Sequence, residues 1–368
     1  MIAFNRFDQI NVMGVVSQLV QAGMVITAIQ MGGGLISLAW IILGVILVRQ
    51  LCIFFLAFRC VEYLSLSFRN FDWPMLRTLL TFGSQNVLVG MARRLTNYGG
   101  TFVIGVILGP VMVAFYAIAQ SLAVKQEDLG KGVTSVLMPV VSRLDAKNRR
   151  TDLAKVYFLA SRILLALAMA AATVFIAIGR PLIDLWIGPE YGAQSYPVLC
   201  LLAIGMGIRM VSLSSTNVLK GIGEMHRLVR VSILEAVLTL VLGTMLVRSF
   251  GLMGMGLAVL LSQVVVAGLY VPVITCRAIG VSIMGFARNV LLPGVTAALP
   301  GVVLAIAMSE FAPPGHLIQV VVQALSILAV TGITMLFVCF DRRLRCQLFQ
   351  SILPEPPLSD HRQKTTTE

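Results

Sequence analysis

The sequence predicts an all-α, polytopic membrane protein: a transmembrane helical bundle of about ten membrane-spanning helices. Of the 368 residues, 58% are hydrophobic and only 12% are charged, and the mean hydropathy is +0.92. Soluble domains carry about 25% charged residues, so this chain lacks the polar side chains that a water-facing surface of its size requires. Soluble enzymes and nucleic-acid-binding proteins are therefore poor fits, although the net charge is +12.

Ten apolar stretches are long enough to cross the hydrocarbon core of a membrane, which takes about 20 helical residues. Glycines at 32–34, Gly109-Pro110 and Gly251 supply tight turns between successive stretches. The third and fourth stretches are longer than 30 residues and are expected to tilt or protrude. The predicted spans are 10–31, 35–58, 77–108, 111–142, 155–179, 196–218, 229–249, 252–275, 289–309 and 316–340.

The basic residues of the loops alternate from one side of the predicted bundle to the other. Nineteen lysines and arginines fall on one side, and only Arg180 and Arg248 fall on the other. Cytoplasmic loops carry the excess of Lys and Arg in membrane proteins. We therefore expect a multi-pass protein with both termini in the cytoplasm.

Catalytic and metal-binding patterns are not found in the sequence. The loops of the less basic side are short, and the chain has no nucleophile elbow, paired-carboxylate constellation or phosphate-binding glycine loop. The six cysteines and three histidines are scattered without the spacing of zinc or iron–sulfur ligands. We expect no enzyme activity, no metal site and no cofactor.

Three of the predicted helices carry polar residues in stripes along one face. Spacings of three and four residues bring side chains to the same side of an α-helix. Such stripes on otherwise apolar helices predict a hydrated space lined by several helices. The stripes are Asn86, Gly90, Arg93 and Asn97 with Arg94 beside them, Gln120, Glu127, Lys131 and Thr134 with Asp128 beside them, and Arg209, Ser212, Thr216 and Lys220.

The charges in the fourth predicted helix have two interpretations. A charge at the centre of a membrane costs about 2.5–3.5 kcal/mol, so these groups are expected to face protein or water. Glu127 and Lys131 are four residues apart, and Asp128 is three residues from both Lys125 and Lys131. This cluster can therefore neutralise itself through pairs along one helix, or its lysines can face an anionic ligand.

The arginines of the third and sixth predicted helices have no acid nearby in the sequence. Glu235 can reach one of Arg93, Arg94 and Arg209, but it cannot neutralise all three. An anionic ligand is then the more economical partner, because the planar guanidinium fork matches the geometry of phosphate. Glu127, Asp128 and Glu235 are candidates for coupling to a proton or a sodium ion.

One segment resembles a known family. Residues 104–146 contain an IG-x-x-LGP turn, the helix start Y-x-IAQSL and the exit VLMPVVSRL. These elements, in this order, resemble the polysaccharide (O-antigen and exopolysaccharide) flippases of the multidrug/oligosaccharidyl-lipid/polysaccharide exporter superfamily. Supporting pieces are NRFD at 5–8, LLTFGSQNVL at 79–88, PLIDLWIGPEYGAQSYPVL at 181–199 and LKGIGEMHR at 219–227.

The resemblance implies a fold, an activity and a set of partners. Family members look like two six-helix lobes around a central cavity, and they carry undecaprenyl-pyrophosphate-linked oligosaccharide across the bacterial inner membrane. Membrane lipids are expected partners, and a polysaccharide polymerase or glycosyltransferases are further candidates. Nucleic acid is not an expected partner. The residues that the resemblance places in the cavity, as substrate-binding residues, are Arg93, Arg94, Arg209, Lys125, Lys131, Asn86 and Asn97.

The resemblance also implies a division of the chain. The ten spans correspond to helices five to fourteen of a fourteen-helix member, so we expect most of the first lobe to be missing, through a misassigned start or a true truncation. The expected parts are a two-helix remnant of the first lobe (1–58), a six-helix second lobe (59–288), two extra helices (289–340) and a disordered cytoplasmic tail (341–368).

Alternative functions remain open on the sequence alone. A lipid II flippase would also recognise pyrophosphate. A cation or drug exporter of the same superfamily would favour an acidic cavity, whereas the embedded charges here are net basic. A truncated, non-transporting partner of the polysaccharide assembly enzymes is the candidate from another class.

Overall fold

The computed structural model describes residues 7–60, 72–135, 137–311 and 314–339, and every regular element in these ranges is a helix. The predicted all-α class is confirmed. The predicted disordered tail at 341–368 lies outside the described residues. The helices are α1 (Phe7–Gln30), α2 (Leu35–Cys60), α3 (Trp73–Ile107), α4 (Pro110–Thr134), α5 (Leu137–Ala146), α6 (Arg150–Trp186), α7 (Pro189–Gly221), α8 (Met225–Gln263), a π-helix (Val264–Tyr270), α9 (Val271–Ile279), α10 (Ile283–Phe311) and α11 (Leu317–Cys339).

Seven helical segments within the described ranges are long and apolar enough to cross a membrane. One of them, Met225–Ile279, contains two of the predicted spans. The predicted third span corresponds to α3, and the first part of the predicted fourth span corresponds to α4; neither helix is among the seven. Their hydropathy is lowered by the charged residues that define the polar stripes, so the most polar helices are the ones on which the predicted site lies.

Helix α8 reverses its direction at Gly251. This residue has φ 59° and ψ −137°, and these backbone angles lie outside the α-helical region. Thr239 Oγ1, before the reversal, donates a hydrogen bond of 2.8 Å to Ser262 Oγ, after it. The two arms of α8 therefore run side by side. Glycine is favoured at 251 because a side chain is strained at positive φ. The predicted turn at Gly251 is thus confirmed.

The fourth predicted span is divided in the structure. Instead of one helix over 111–142, α4 ends at Thr134 and α5 begins at Leu137. Pro139 explains the break, since it has no backbone N–H to donate to the carbonyl of Ser135 and its ring crowds that carbonyl.

The chain divides into two compact units, Met1–Arg77 and Thr78–Glu368. In the first unit, α1 and α2 form an antiparallel hairpin. The turn between them contains Gly32, which has φ 75°, and Gly33, whose amide donates a hydrogen bond of 2.8 Å to the carbonyl of Ala28. A Cβ at Gly33 would lie 2.8 Å from that same carbonyl oxygen, so the turn requires glycine.

The second unit packs its helices around two main apolar cores. One core joins α3, α4, α7 and α8 through residues such as Ile104, Tyr116 and Leu202. The other joins α5, α6, α9 and α10, where the ring of Tyr157 stacks on Phe286 at 5.2 Å. Helices α10 and α11 also pack against α6 within this unit. The predicted boundary at 288–289 stays a prediction.

Candidate functional site

A buried ion triad joins three helices of the second unit. Arg209 of α7 places Nε 3.3 Å from Glu127 Oε2 of α4 and Nη1 3.4 Å from Glu235 Oε1 of α8. The exposed fractions are 3% for Arg209, 2% for Glu127 and 8% for Glu235. Glu235 therefore does reach one of the three arginines, as the sequence allowed, and folding also brings Glu127 to Arg209, so this arginine does not need an anionic ligand as its counter-charge.

The triad lies deep within the helices. Arg209 is about 18 Å from the C-terminal end of α7, and Glu235 is about 15 Å from the adjacent N-terminal end of α8, at 1.5 Å per residue. Both residues are thus at nearly the same depth. Because a charge at such a depth in a membrane is costly, the mutual pairing explains how all three groups can remain there.

A glycine of α4 allows the close approach that the triad needs. A Cβ at Gly130 would lie 2.7 Å from Met210 Cγ and 3.0 Å from Leu213 Cδ1. Gly130 is one turn beyond Glu127, and Met210 directly follows Arg209. Glycine at this position therefore lets α4 lie against α7 closely enough for the Glu127–Arg209 pair to form.

Polar side chains extend the triad to α3 and to the second arm of α8. Arg209 Nη1 donates 3.0 Å to Asn97 Oδ1, and the backbone carbonyl of Asn97 accepts a hydrogen bond from Gln120 Nε2. Gln263 Nε2 donates 2.9 Å to Glu235 Oε1. Asn97, predicted as a site residue, is thus held in the arginine network, where it orients Arg209.

Two cations lie beside the triad without close carboxylates of their own. Arg93 of α3 is half-buried and is near enough to Arg209, Glu127 and Glu235 to interact electrostatically with each. Lys220, near the end of α7, is half-buried and interacts with Arg93 in the same way. Within the described ranges, neither forms an ion pair or a side-chain hydrogen bond.

The charges of this group nearly balance. The triad has one positive and two negative groups, so its formal charge is −1, and Arg93 brings the sum to zero. Lys220 then adds a positive charge that nothing within the triad offsets. We call Arg93 and Lys220, together with the triad, the cationic site. Its chemistry suits an anion that bridges Arg93 and Lys220.

The two lysines of α4 differ in their relation to the cationic site. Lys131 contacts its edge, since Lys131 Nζ is 3.4 Å from Glu127 Oε1 as well as 2.9 Å from Asp128 Oδ1. Lys125 lies outside it, with Nζ 3.9 Å from Asp128 Oδ2. The side chains of Lys125, Asp128 and Lys131 are largely exposed, at 77%, 46% and 50%. The predicted pairs along α4 are present, but Glu127 is shared with Arg209 of α7, so the cluster is not neutralised within one helix alone.

Besides Lys125, two further predicted site residues are not brought to the cationic site. Asn86 and Arg94 are both exposed, and Arg94 is separated from Arg93 by about 100° around α3. Conversely, sequence reasoning did not single out Gln263 as part of the site, because the reversal at Gly251 brings it to Glu235. Lys220 lies on the polar stripe that the sequence predicted for this helix, although it is not among the predicted substrate-binding residues.

A protein-family model described as "Polysaccharide biosynthesis protein" matches residues 4–195, which is more than half of the chain. The chain belongs to the polysaccharide biosynthesis protein family. The resemblance noted in the sequence is thus confirmed at the level of this family. A search of curated proteins finds no significant match.

The matched region of this polysaccharide biosynthesis protein contains only part of the cationic site. Arg93, Asn97 and Glu127 lie within it, whereas Arg209, Lys220 and Glu235 lie beyond residue 195. Membrane-spanning helices and this family membership together indicate a multi-pass membrane protein with a role in polysaccharide synthesis or export.

Proposed function

We propose that this protein translocates a lipid-linked, pyrophosphate-bearing oligosaccharide across the bacterial inner membrane, as a transporter rather than an enzyme. Family membership supports a polysaccharide as the carried molecule, and the apolar helices support a location in the membrane. The observation that carries the proposal is the cationic site, where Arg93 and Lys220 have no carboxylate within ion-pair distance among the described residues.

Arg93 and Lys220 supply complementary modes of phosphate recognition. The guanidinium of Arg93 can donate two parallel hydrogen bonds to one phosphate, while the ammonium of Lys220 acts as a compact point charge. Lys220 is near the end of α7 that carries the basic loop, whereas Arg93 is deeper. An anion passing from Lys220 to Arg93 would thus move inward along one path.

The triad has a different role in this proposal. Arg209 is occupied by Glu127 and Glu235, so it positions α4, α7 and α8 and keeps both carboxylates from repelling the incoming anion. Glu127 and Glu235 remain the candidates for coupling to a proton or sodium ion. Asp128 is already paired with Lys131 on the exposed face of α4, which makes it a weaker candidate.

A transport assay with the complete chain tests the proposal. The protein is reconstituted in liposomes that contain a fluorescent undecaprenyl-pyrophosphate oligosaccharide, and a membrane-impermeant quencher measures how fast the label changes leaflet. We expect transport, and an at least tenfold loss in Arg93→Ala. The matched control is Arg248→Ala, an exposed arginine elsewhere on α8. Absence of transport by the unmodified chain, or equal rates in both variants, would contradict the proposal.

A further inference from the structure

A long apolar groove lies in the second unit, and none of its lining residues belongs to the cationic site. It has a volume of about 420 Å³ and is formed by α6, α7, the π-helix, α9 and α10, with residues such as Leu165, Ala172, Ile208, Gly268 and Leu291 on its walls. The groove contains one hydroxyl side chain, Thr173, whose Oγ1 donates 2.8 Å to a backbone carbonyl of its own helix. The walls are thus almost entirely apolar.

The shape of the groove fits a hydrocarbon chain. Along α6 the lining residues extend from Leu165 to Ile176, which is about 16 Å of helix. A dry, apolar cavity of about 150 Å³ holds one benzene, so this groove accommodates roughly three times that bulk in an elongated form. Apolar space of this size in a membrane-spanning unit is expected to be filled by a lipid chain.

The two ends of the groove differ in charge. Arg162 precedes Leu165 by one helical turn, and Arg288 lies between the lining residues Phe286 and Leu291 of α10. The contact of Arg162 with Asn289, the residue after Arg288, places both arginines at the same end. Arg162 Nε donates to the backbone carbonyl of Asn289, which ties α6 to α10 at this point. In the described part of the chain, neither arginine has an ion-pair partner.

The opposite end offers no such excess of positive charge. There α6 continues beyond Ile176 to Arg180, whose Nε is 3.8 Å from Asp184 Oδ2. The groove therefore has an apolar body, one end with two arginines that lack acid partners, and one end where the nearby charge on α6 is paired. This is the charge distribution that complements an anionic lipid with its headgroup at the arginine end.

We propose that this groove is a specific binding site for one anionic phospholipid, with its phosphate held by Arg162 and Arg288 and an acyl chain along α6 and the π-helix. The π-helix supports this assignment, because its wide turn presents Gly268 to the groove, and such bulges occur mostly at functional sites. The site is separate from the cationic site, and it does not depend on what the protein transports.

Native mass spectrometry of the purified complete chain tests the inference. The protein is incubated with an equimolar mixture of phosphatidylglycerol and phosphatidylcholine that have identical acyl chains. We expect one retained lipid, with phosphatidylglycerol preferred by at least tenfold. Arg288→Gln should lower that preference about fivefold, and Arg162→Gln by a similar factor, because each removes one cation at the membrane surface. Ala172→Phe, which fills the groove, should remove the retained lipid.

Two variants serve as matched controls, and specific outcomes overturn the proposal. Arg248→Gln removes an exposed arginine and Ala114→Phe enlarges an exposed alanine, both outside the groove. Both should retain phosphatidylglycerol like the unmodified protein. Equal retention of the two lipids, an unchanged preference in Arg288→Gln, or a retained lipid in Ala172→Phe would overturn the proposal. Selective displacement of phosphatidylglycerol by undecaprenyl phosphate would assign the groove to a carried lipid instead, and would also overturn it.

Discussion

Removing Arg209 should destabilise the protein far more than removing either of its carboxylate partners. Arg209→Gln removes the cation that Glu127 and Glu235 share, so Glu235 loses its ion-pair partner while Glu127 keeps only the half-exposed Lys131, 3.4 Å from its Oε1. Breaking a buried ion pair by deleting one partner costs about 3–5 kcal/mol. Because Glu235 loses its partner outright and Glu127 keeps only a half-exposed lysine, we expect a loss within that range.

Neutralising one acid should cost much less. Glu127→Gln leaves Arg209 paired with Glu235, and the charge of the triad changes from −1 to 0. The amide retains a hydrogen-bond acceptor for Arg209, so the expected loss is about 1–1.5 kcal/mol, close to that of one net hydrogen bond. The combined variant Glu127→Gln/Arg209→Met/Glu235→Gln buries no charge, and we expect it to be more stable than Arg209→Gln alone.

The assay is reversible unfolding in SDS titrations of mixed micelles, followed by circular dichroism, with the free energy of unfolding compared among the variants. The order predicted is Arg209→Gln least stable, the combined variant intermediate, and Glu127→Gln nearest to the unmodified protein. Equal losses in Arg209→Gln and Glu127→Gln would refute the reasoning. So would a combined variant as unstable as Arg209→Gln, because the cost would then come from packing and not from unpaired charge.

Three further predictions use the same titration. Gly130→Val should cost about 1–3 kcal/mol by forcing α4 from α7, whereas Gly132→Val, which meets nothing within 4 Å, should cost nothing, because valine has a higher helix propensity than glycine; equal costs would contradict the close-approach argument. Gly251→Ala should cost about 1–2 kcal/mol through strain at positive φ, and a stabilised variant would show that α8 does not reverse there. Asp128→Asn should change stability by less than about 1 kcal/mol, since exposed ion pairs contribute little; a larger loss would place Asp128 in the core network.

The helices could be predicted from the sequence because their signals are local. Runs of apolar residues bounded by glycine turns gave the positions of the spans, and Gly109-Pro110 and Gly251 are turns in the structure as expected. The break between α4 and α5 was missed, because a hydrophobic run continues across it and only Pro139 marks it. The π-helix has no local signal at all in an uninterrupted apolar segment.

The candidate site was predictable only in part, because its partners are far apart in sequence. Periodicity placed Arg93 and Asn97 on one face of α3, and the structure keeps both near Arg209. It could not pair Arg209 with Glu127, which is 82 residues away, since that contact depends on how α4 packs against α7. The same limit hid Gln263, whose contact with Glu235 requires the reversal of α8.

The most direct test of the account is equilibrium binding of undecaprenyl pyrophosphate to the purified chain, measured for Arg93→Gln, Lys220→Gln and the double variant. If one phosphate-bearing headgroup bridges both cations, each single change should weaken binding about tenfold, and the double change should weaken it by less than the product of the two. Unchanged affinity in both single variants would contradict the claim that the cationic site recognises the carried lipid.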